Sequence, residues 1–240
     1  MLFYGNMFYG YYFDPTYSLV LIGVVICAIA SGIVRSTFNR YSRVRSMSGY
    51  TGAMAAEAIL HRAGIYDVRV ERISGNLTDH YDPRSKILRL SDSVYNQTSV
   101  AAIGVAAHEV GHAIQHARGY VPLRLRSAIV PVVNIGSKLS WLLIFAGILI
   151  GGSRAQEILW LGILLFSTAV VFQLITLPVE FNASRRAVNM IGEMGILSRD
   201  ELSGTRKVLS AAALTYVAGA ISSILQLLRL IILFGGRRRD

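Results

Sequence analysis

Cysteine is all but absent from this chain: Cys27 is the only one in 240 residues, and it lies inside an apolar run. No disulfide framework and no thiolate metal site is open to such a sequence, so any transition-metal chemistry has to use His, Asp or Glu. Charge is scarce as well. Only 16% of residues are charged against 53% hydrophobic ones, which excludes an ordinary soluble domain of this size and predicts a membrane protein. Acidic residues are the rarer sign, 14 against 24 basic ones, giving a net charge of +10. The arginines cluster beside apolar runs, where anionic headgroups would meet them, so the expected partner is a lipid bilayer and not nucleic acid. Internal repeats and low-complexity linkers are missing too. No Lys or Arg precedes the first hydrophobic segment and several arginines follow it, which excludes a cleavable signal peptide and predicts a retained anchor.

Residues 1–34 join an aromatic stretch, MLFYGNMFYGYYF, suited to an interfacial belt, to an apolar run over residues 17–34 long enough to cross a hydrocarbon core of about 30 Å. Arg35, Arg40, Arg43 and Arg45 follow at once, so the N-terminus is expected outside and the next segment in the cytoplasm. Residues 35–126 turn mixed and globular. TGAMAAEAILHRAG has helical spacing and ends in Gly64, a left-handed terminator. IYDVRVERI and KILRL alternate like half-buried strands, with the turn-like YDPRS between them. A last helix there carries HEVGH, with Thr98 as its expected N-cap and Gly119 as its stop.

Residues 127–178 read as a hydrophobic hairpin, crossing over residues 127–152 and 158–177 around a short outer turn, GGSRAQE. Asn134 and Lys138 interrupt the first crossing, and the Lys138 ammonium is expected to snorkel. Residues 179–207 form a second cytoplasmic segment, in which Ser198 and Glu201 have capping-box spacing. Residues 208–240 hold a hydrophobic helix and a basic tail. A full crossing would put the tail arginines outside, against the usual bias, so this helix either spans or lies along the membrane.

The chemistry concentrates in VAAHEVGHAIQHA. On a helix, residues four apart share a face, so His108 and His112 aim both imidazoles at one point, as a tetrahedral zinc ion requires. Glu109 is placed to act as a general base on water without ligating the metal. Small apolar residues precede His108 and favour tight burial, where two histidines and a carboxylate would be costly without a partner. Gly111 permits close approach of a neighbouring backbone. A catalytic zinc then lacks one protein ligand. His116 continues the series but rotates off the face, which suits packing or support of another ligand. Asp79, His80 and Asp82 form a polar cluster that either supports the site or satisfies itself. Glu180, an acidic residue just after a span, is the better third ligand; the alternative pairs it with Arg185 or Arg186 at the interface. Tyr216, Asn182, His116 and Arg185 are all able to donate to an oxyanion, and Tyr216 reads equally as a core tyrosine. KILRLS is the expected edge for an extended peptide, or else a plain structural strand.

HEVGH, with EFNAS about seventy residues later beyond a hydrophobic hairpin, resembles the YugP-type bacterial membrane zinc metallopeptidases, as do LTDHYDP before a strand and the late AAALTYVA. A more distant resemblance is to the HtpX-like membrane peptidases, whose HExxH is completed by a Glu in an EFxAD-like motif. The resemblance implies His108, His112 and Glu180 as ligands of one zinc ion and Glu109 as the catalytic base. Ser184 stands where the HtpX-like motif has Asp, which puts a supporting carboxylate there in doubt. The expected fold is therefore a mainly α membrane protein with a small cytoplasmic α+β, zincin-like catalytic unit. The expected function is a zinc endopeptidase of the bacterial inner membrane, cutting peptides or membrane proteins at the cytoplasmic face in processing or quality control. A scaffold with a structural zinc and a zinc hydrolase of a non-peptide interfacial substrate are the alternatives. A regulatory membrane partner or a homo-oligomer is left open.

Overall fold

The computed structural model describes residues 14–235; the aromatic stretch before them and the arginines of the tail lie outside the described residues. Four helices are long and apolar enough to cross a membrane: α1 (Tyr17–Tyr41), α4 (Val121–Ile150), α5 (Gly152–Glu193) and α6 (Arg199–Gly235). Between α1 and α4 stand α2 (Gly52–Arg62), β1 (Arg69–Ile73), β2 (His80–Asp82), β3 (Ile87–Ser91) and α3 (Val100–Ala117).

The long helices pack antiparallel in the order α1, α6, α5, α4. Lipid tails are as apolar as leucine, so such helices are held by close backbone approach and not by apolar burial. The α1–α6 pair shows how. A Cβ on Gly23 would meet Ser222 Oγ at 2.8 Å, and one on Gly204 would meet the Tyr41 ring at 2.7 Å. These two contacts fix an antiparallel register over the full length of α1, and Arg229 extends it by pairing with Asp14 at 3.7 Å. The helix that the sequence leaves either spanning or lying along the membrane is thus one continuous rod beside α1 and α5. Its start carries the predicted capping box: Ser198 N donates to Glu201 Oε2 at 2.7 Å and Glu201 N to Ser198 Oγ at 3.4 Å. Leu21, Ile22, Val24, Val25 and Ile29 of α1 stay exposed, an apolar face that fits a bilayer.

α5 runs unbroken through Pro178 to Glu193. The proline's missing N–H and ring are absorbed within a helix flanked by others. The cap of α3 is Ser99, one residue after Thr98; its side chain accepts from Ala102 N at 3.2 Å.

The polar segment folds as a small α+β unit. Its sheet has the order β1-β3-β2, with β1 parallel and β2 antiparallel to β3. HYD of the polar cluster is therefore a strand in its own right. KILRLS is the central strand, paired on both sides, so it has no free edge to offer a peptide. Alternation identifies a strand but not its place in a sheet. Leu88 and Leu90 of β3 are buried against α2 and α3, in a core that also takes in Ala187 and Ile191 of α5 and Val208 and Leu209 of α6. The polar unit and the helical bundle thus share one core, which presses α3 against α5 and α6.

Candidate metal centre and active site

α3 is built of small residues on the face it turns to α5. A Cβ on Gly111 would lie 2.6 Å from the carbonyl oxygen of Ala183, so only glycine lets the two helices come this close. That approach brings the HEVGH turn against EFNAS. His108 Nε2 is 3.3 Å and His112 Nε2 3.5 Å from Glu180 Oε2, and the three donor atoms lie within 4.8 Å of one another. Zinc–nitrogen and zinc–oxygen distances near 2.1 Å imply donors about 3.4 Å apart around a tetrahedral ion. The two distances to Glu180 fit that edge.

Two further observations test whether a cation belongs there. Glu180 is 2% exposed, and its Oε2 is buried without a hydrogen-bond partner, an arrangement costly for a carboxylate unless a cation sits against it. Burial works against charge on His112, yet the Glu180 carboxylate and the charge of Glu109 hold its imidazole above the ordinary value. The residues fit a zinc ion.

Glu180 does not pair with Arg185 or Arg186. Its other oxygen, Oε1, accepts from Arg126 at 3.0 Å, a residue near the start of α4 whose guanidinium also lies 5.9 Å from the centre of the Phe172 ring. One carboxylate oxygen is tied and the other is aimed at the histidines.

The far sides of the imidazoles are held as well. His108 Nδ1 is 3.0 Å from Ser184 Oγ, so a hydroxyl supports the ring where the HtpX-like motif has a carboxylate. His112 Nδ1 is 3.1 Å from Gln115 Oε1, and the polarity of that bond follows from its neighbours. Arg186 can only donate, and its Nε bonds Asn182 Oδ1 at 2.7 Å. The same oxygen and the carbonyl of Val179 accept from Gln115 Nε2, at 3.0 and 2.8 Å. With its amino group spent, Gln115 presents only its oxygen to His112. Nδ1 must carry the proton, which leaves Nε2 as the ligand atom.

The Glu109 side chain makes no hydrogen bond or ion pair with any described residue, and its charge is felt by His112, Asp79 and Tyr216. Tyr216, on α6, comes close enough to Glu180 and Glu109 to sense both carboxylates. Asn182 is placed behind His112, in the Gln115 network. His116 is turned elsewhere, its Nδ1 2.9 Å from Tyr81 OH on β2. His80 Nδ1 sits 2.9 Å from Thr78 O, and Asp82 accepts from Arg84 N and Ser85 Oγ within its own turn. Asp79 accepts from Ser91 N and Oγ; burial, with the charge of Glu109 added, still pushes its carboxyl above the ordinary value. Sequence reasoning missed Gln115 and Arg126. Gln115 had a signal, lying three residues after His112 and so on its face of the helix; Arg126 had none.

Two histidines of an HExxH helix that meet a buried glutamate, set against long apolar helices, define a class of membrane metallopeptidase site. A family model described as "Putative neutral zinc metallopeptidase" matches residues 16–235, and the chain belongs to that neutral zinc metallopeptidase family. It is 53% identical over 201 residues to the "Putative membrane protease YugP" of Bacillus subtilis (strain 168), covering 84% of this chain and 88% of that relative. No solved structure matches it. The resemblance read from HEVGH and EFNAS is thus shown for the family.

Proposed function

We propose that the chain is a zinc-dependent endopeptidase that crosses the inner membrane several times and cuts peptides or membrane proteins at the cytoplasmic face. The convergence of His108 Nε2, His112 Nε2 and Glu180 Oε2 carries this reading. His108, His112 and Glu180 would hold the ion. Bound there, zinc supplies Lewis acidity that polarises a substrate carbonyl and makes water more acidic. Glu109, free of other partners, takes the proton of the attacking water and returns it to the leaving amine. The Tyr216 phenol donates to the carbonyl oxygen as negative charge builds on it. Asn182 acts behind the site, orienting Gln115 and through it His112.

With β3 enclosed, the peptide's docking edge falls to β2, which pairs only with β3 and rests on α3 through Tyr81 and His116. An extended substrate added to β2 would run past the HEVGH helix. The arginines after α1 favour the cytoplasmic orientation by the positive-inside bias.

A closed structural zinc would need a fourth protein ligand. His116 and His80, its candidate donors, are tied to Tyr81 and Thr78 instead, which favours a site with an open position. The test is Glu109→Gln with zinc content measured beside cleavage of a peptide library. Full zinc occupancy with turnover lowered by about a hundredfold or more is expected for a lost general base. Retained peptide cleavage in the zinc-loaded variant would overturn the role of Glu109; a wild-type enzyme that hydrolyses only non-peptide bonds would overturn the substrate class.

A further inference from the structure

Two clefts flank the same stretch of α6, and both are headed by basic side chains without acidic partners. The first, of about 610 Å³, lies between α5 and α6; Arg185 and Arg206 stand at it, above Phe181, Leu209, Ala213 and Val217. The second, of about 380 Å³, lies between α1 and α6, with Arg40 and Lys207 beside Ile33 and Leu214. Ser210 and Leu214 line both. Among the described residues the side chains of Arg185, Arg206 and Lys207 make no hydrogen bond or ion pair, and Arg40 only lies against the Tyr41 ring. Neither cleft has an acidic residue in its lining. Each therefore pairs two unneutralised cations with an apolar wall that continues along helices long enough to span a bilayer.

We infer that both clefts bind anionic phospholipid from the cytoplasmic leaflet, the phosphate between the paired basic side chains and an acyl chain along α6. Guanidinium forks match phosphate oxygens in geometry as well as charge, and basic residues at this level of a span attract anionic headgroups. A peptide substrate accounts for the clefts less well. Only the first cleft reaches the metal centre, through Ser184, whereas the same chemistry recurs on the far side of α6. The inference shares with the proposed function the membrane placement of α1, α5 and α6 and their cytoplasmic orientation, and needs no metal.

The experiment is native mass spectrometry of the full chain released from detergent micelles, titrated with phosphatidylglycerol or phosphatidylcholine of identical acyl chains. Two phosphatidylglycerol molecules per chain should persist at collision energies that strip phosphatidylcholine. Arg185→Gln with Arg206→Gln should weaken one of them by about tenfold or more, and Arg40→Gln with Lys207→Gln the other. Leu214→Trp, which crowds both clefts without altering charge, should weaken both, while Arg154→Gln at the opposite end of α5 should change neither. Equal retention of the two lipids, or phosphatidylglycerol retention in the charge variants equal to wild type, would overturn the inference. So would a loss of peptide cleavage by the Arg185/Arg206 variant in lipid-free detergent with both lipids still retained, since the first cleft would then belong to substrate. Zinc content, measured on each preparation, separates these outcomes from a failure of the metal site.

Discussion

Gln115 fixes which nitrogen of His112 faces the metal position. Its amino group is committed to Val179 O and Asn182 Oδ1, so its oxygen, 3.1 Å from His112 Nδ1, can only accept. The ring is thereby oriented from behind, through a chain of bonds that starts at Arg186.

Gln115→Leu should lower zinc affinity by about 10- to 100-fold, the usual cost of losing a partner behind a metal-bound histidine. Gln115→Glu should keep most of that affinity, because a carboxylate still accepts from Nδ1. It should also cost about 1–3 kcal/mol of stability, since Val179 O loses its donor. Competition with a chromophoric chelator, run beside thermal melts, reads both. Equal affinities in the two variants would show that the bond to His112 is incidental.

Arg126 neutralises one oxygen of a carboxylate that is otherwise buried among histidines. Arg126→Gln should therefore harm the metal-stripped chain more than the zinc-loaded one, because the ion compensates the Glu180 charge and the lost guanidinium does not. The gap in melting temperature between the two forms should widen relative to wild type. An unchanged gap would place Arg126 outside the electrostatics of the site.

Gly111→Ala puts a methyl group against the backbone of Ala183, which has no flexible end to yield. Separating α3 from α5 separates His108 and His112 from Glu180, so zinc retained after dialysis should fall by about tenfold or more while helix content by circular dichroism is kept. Wild-type zinc retention would mean that the helices can shift without disturbing the cluster.

Asp79 supplies a pH dependence. Its carboxyl is held above the ordinary value of 3.8, so the folded chain binds that proton more tightly than the unfolded one. The contribution to stability is fully present below the ordinary carboxylate range and is lost as pH rises through the folded value. Asp79→Asn should flatten the fall in melting temperature over that window. A variant with the wild-type slope would assign the dependence to other groups.

Much of the site was legible before any coordinates. The spacing of His108 and His112 on one helix face, the capping box at Ser198, the left-handed stops at Gly64 and Gly119 and the apolar lengths all rest on local geometry, which the period of a helix imposes within one element. What stayed hidden joins different elements. Glu180 could be ranked above His116 and His80 but not placed, and nothing in the chain near Arg126 announces a carboxylate partner 54 residues away. The order of strands in the sheet, which enclosed KILRLS and freed β2, was equally beyond an alternation pattern.

The sequence by itself determined the donors, their spacing along α3 and the presence of helices long and apolar enough to cross a bilayer. Tertiary structure decided which donors meet, which carboxylate oxygen is tied to Arg126 and which is left to the histidines. Side-chain period restricts only neighbours on the same rod, whereas the meeting of His112 with Glu180 depends on how closely two rods pack. That distance is set at Gly111, where a single absent side chain lets one backbone rest on the other.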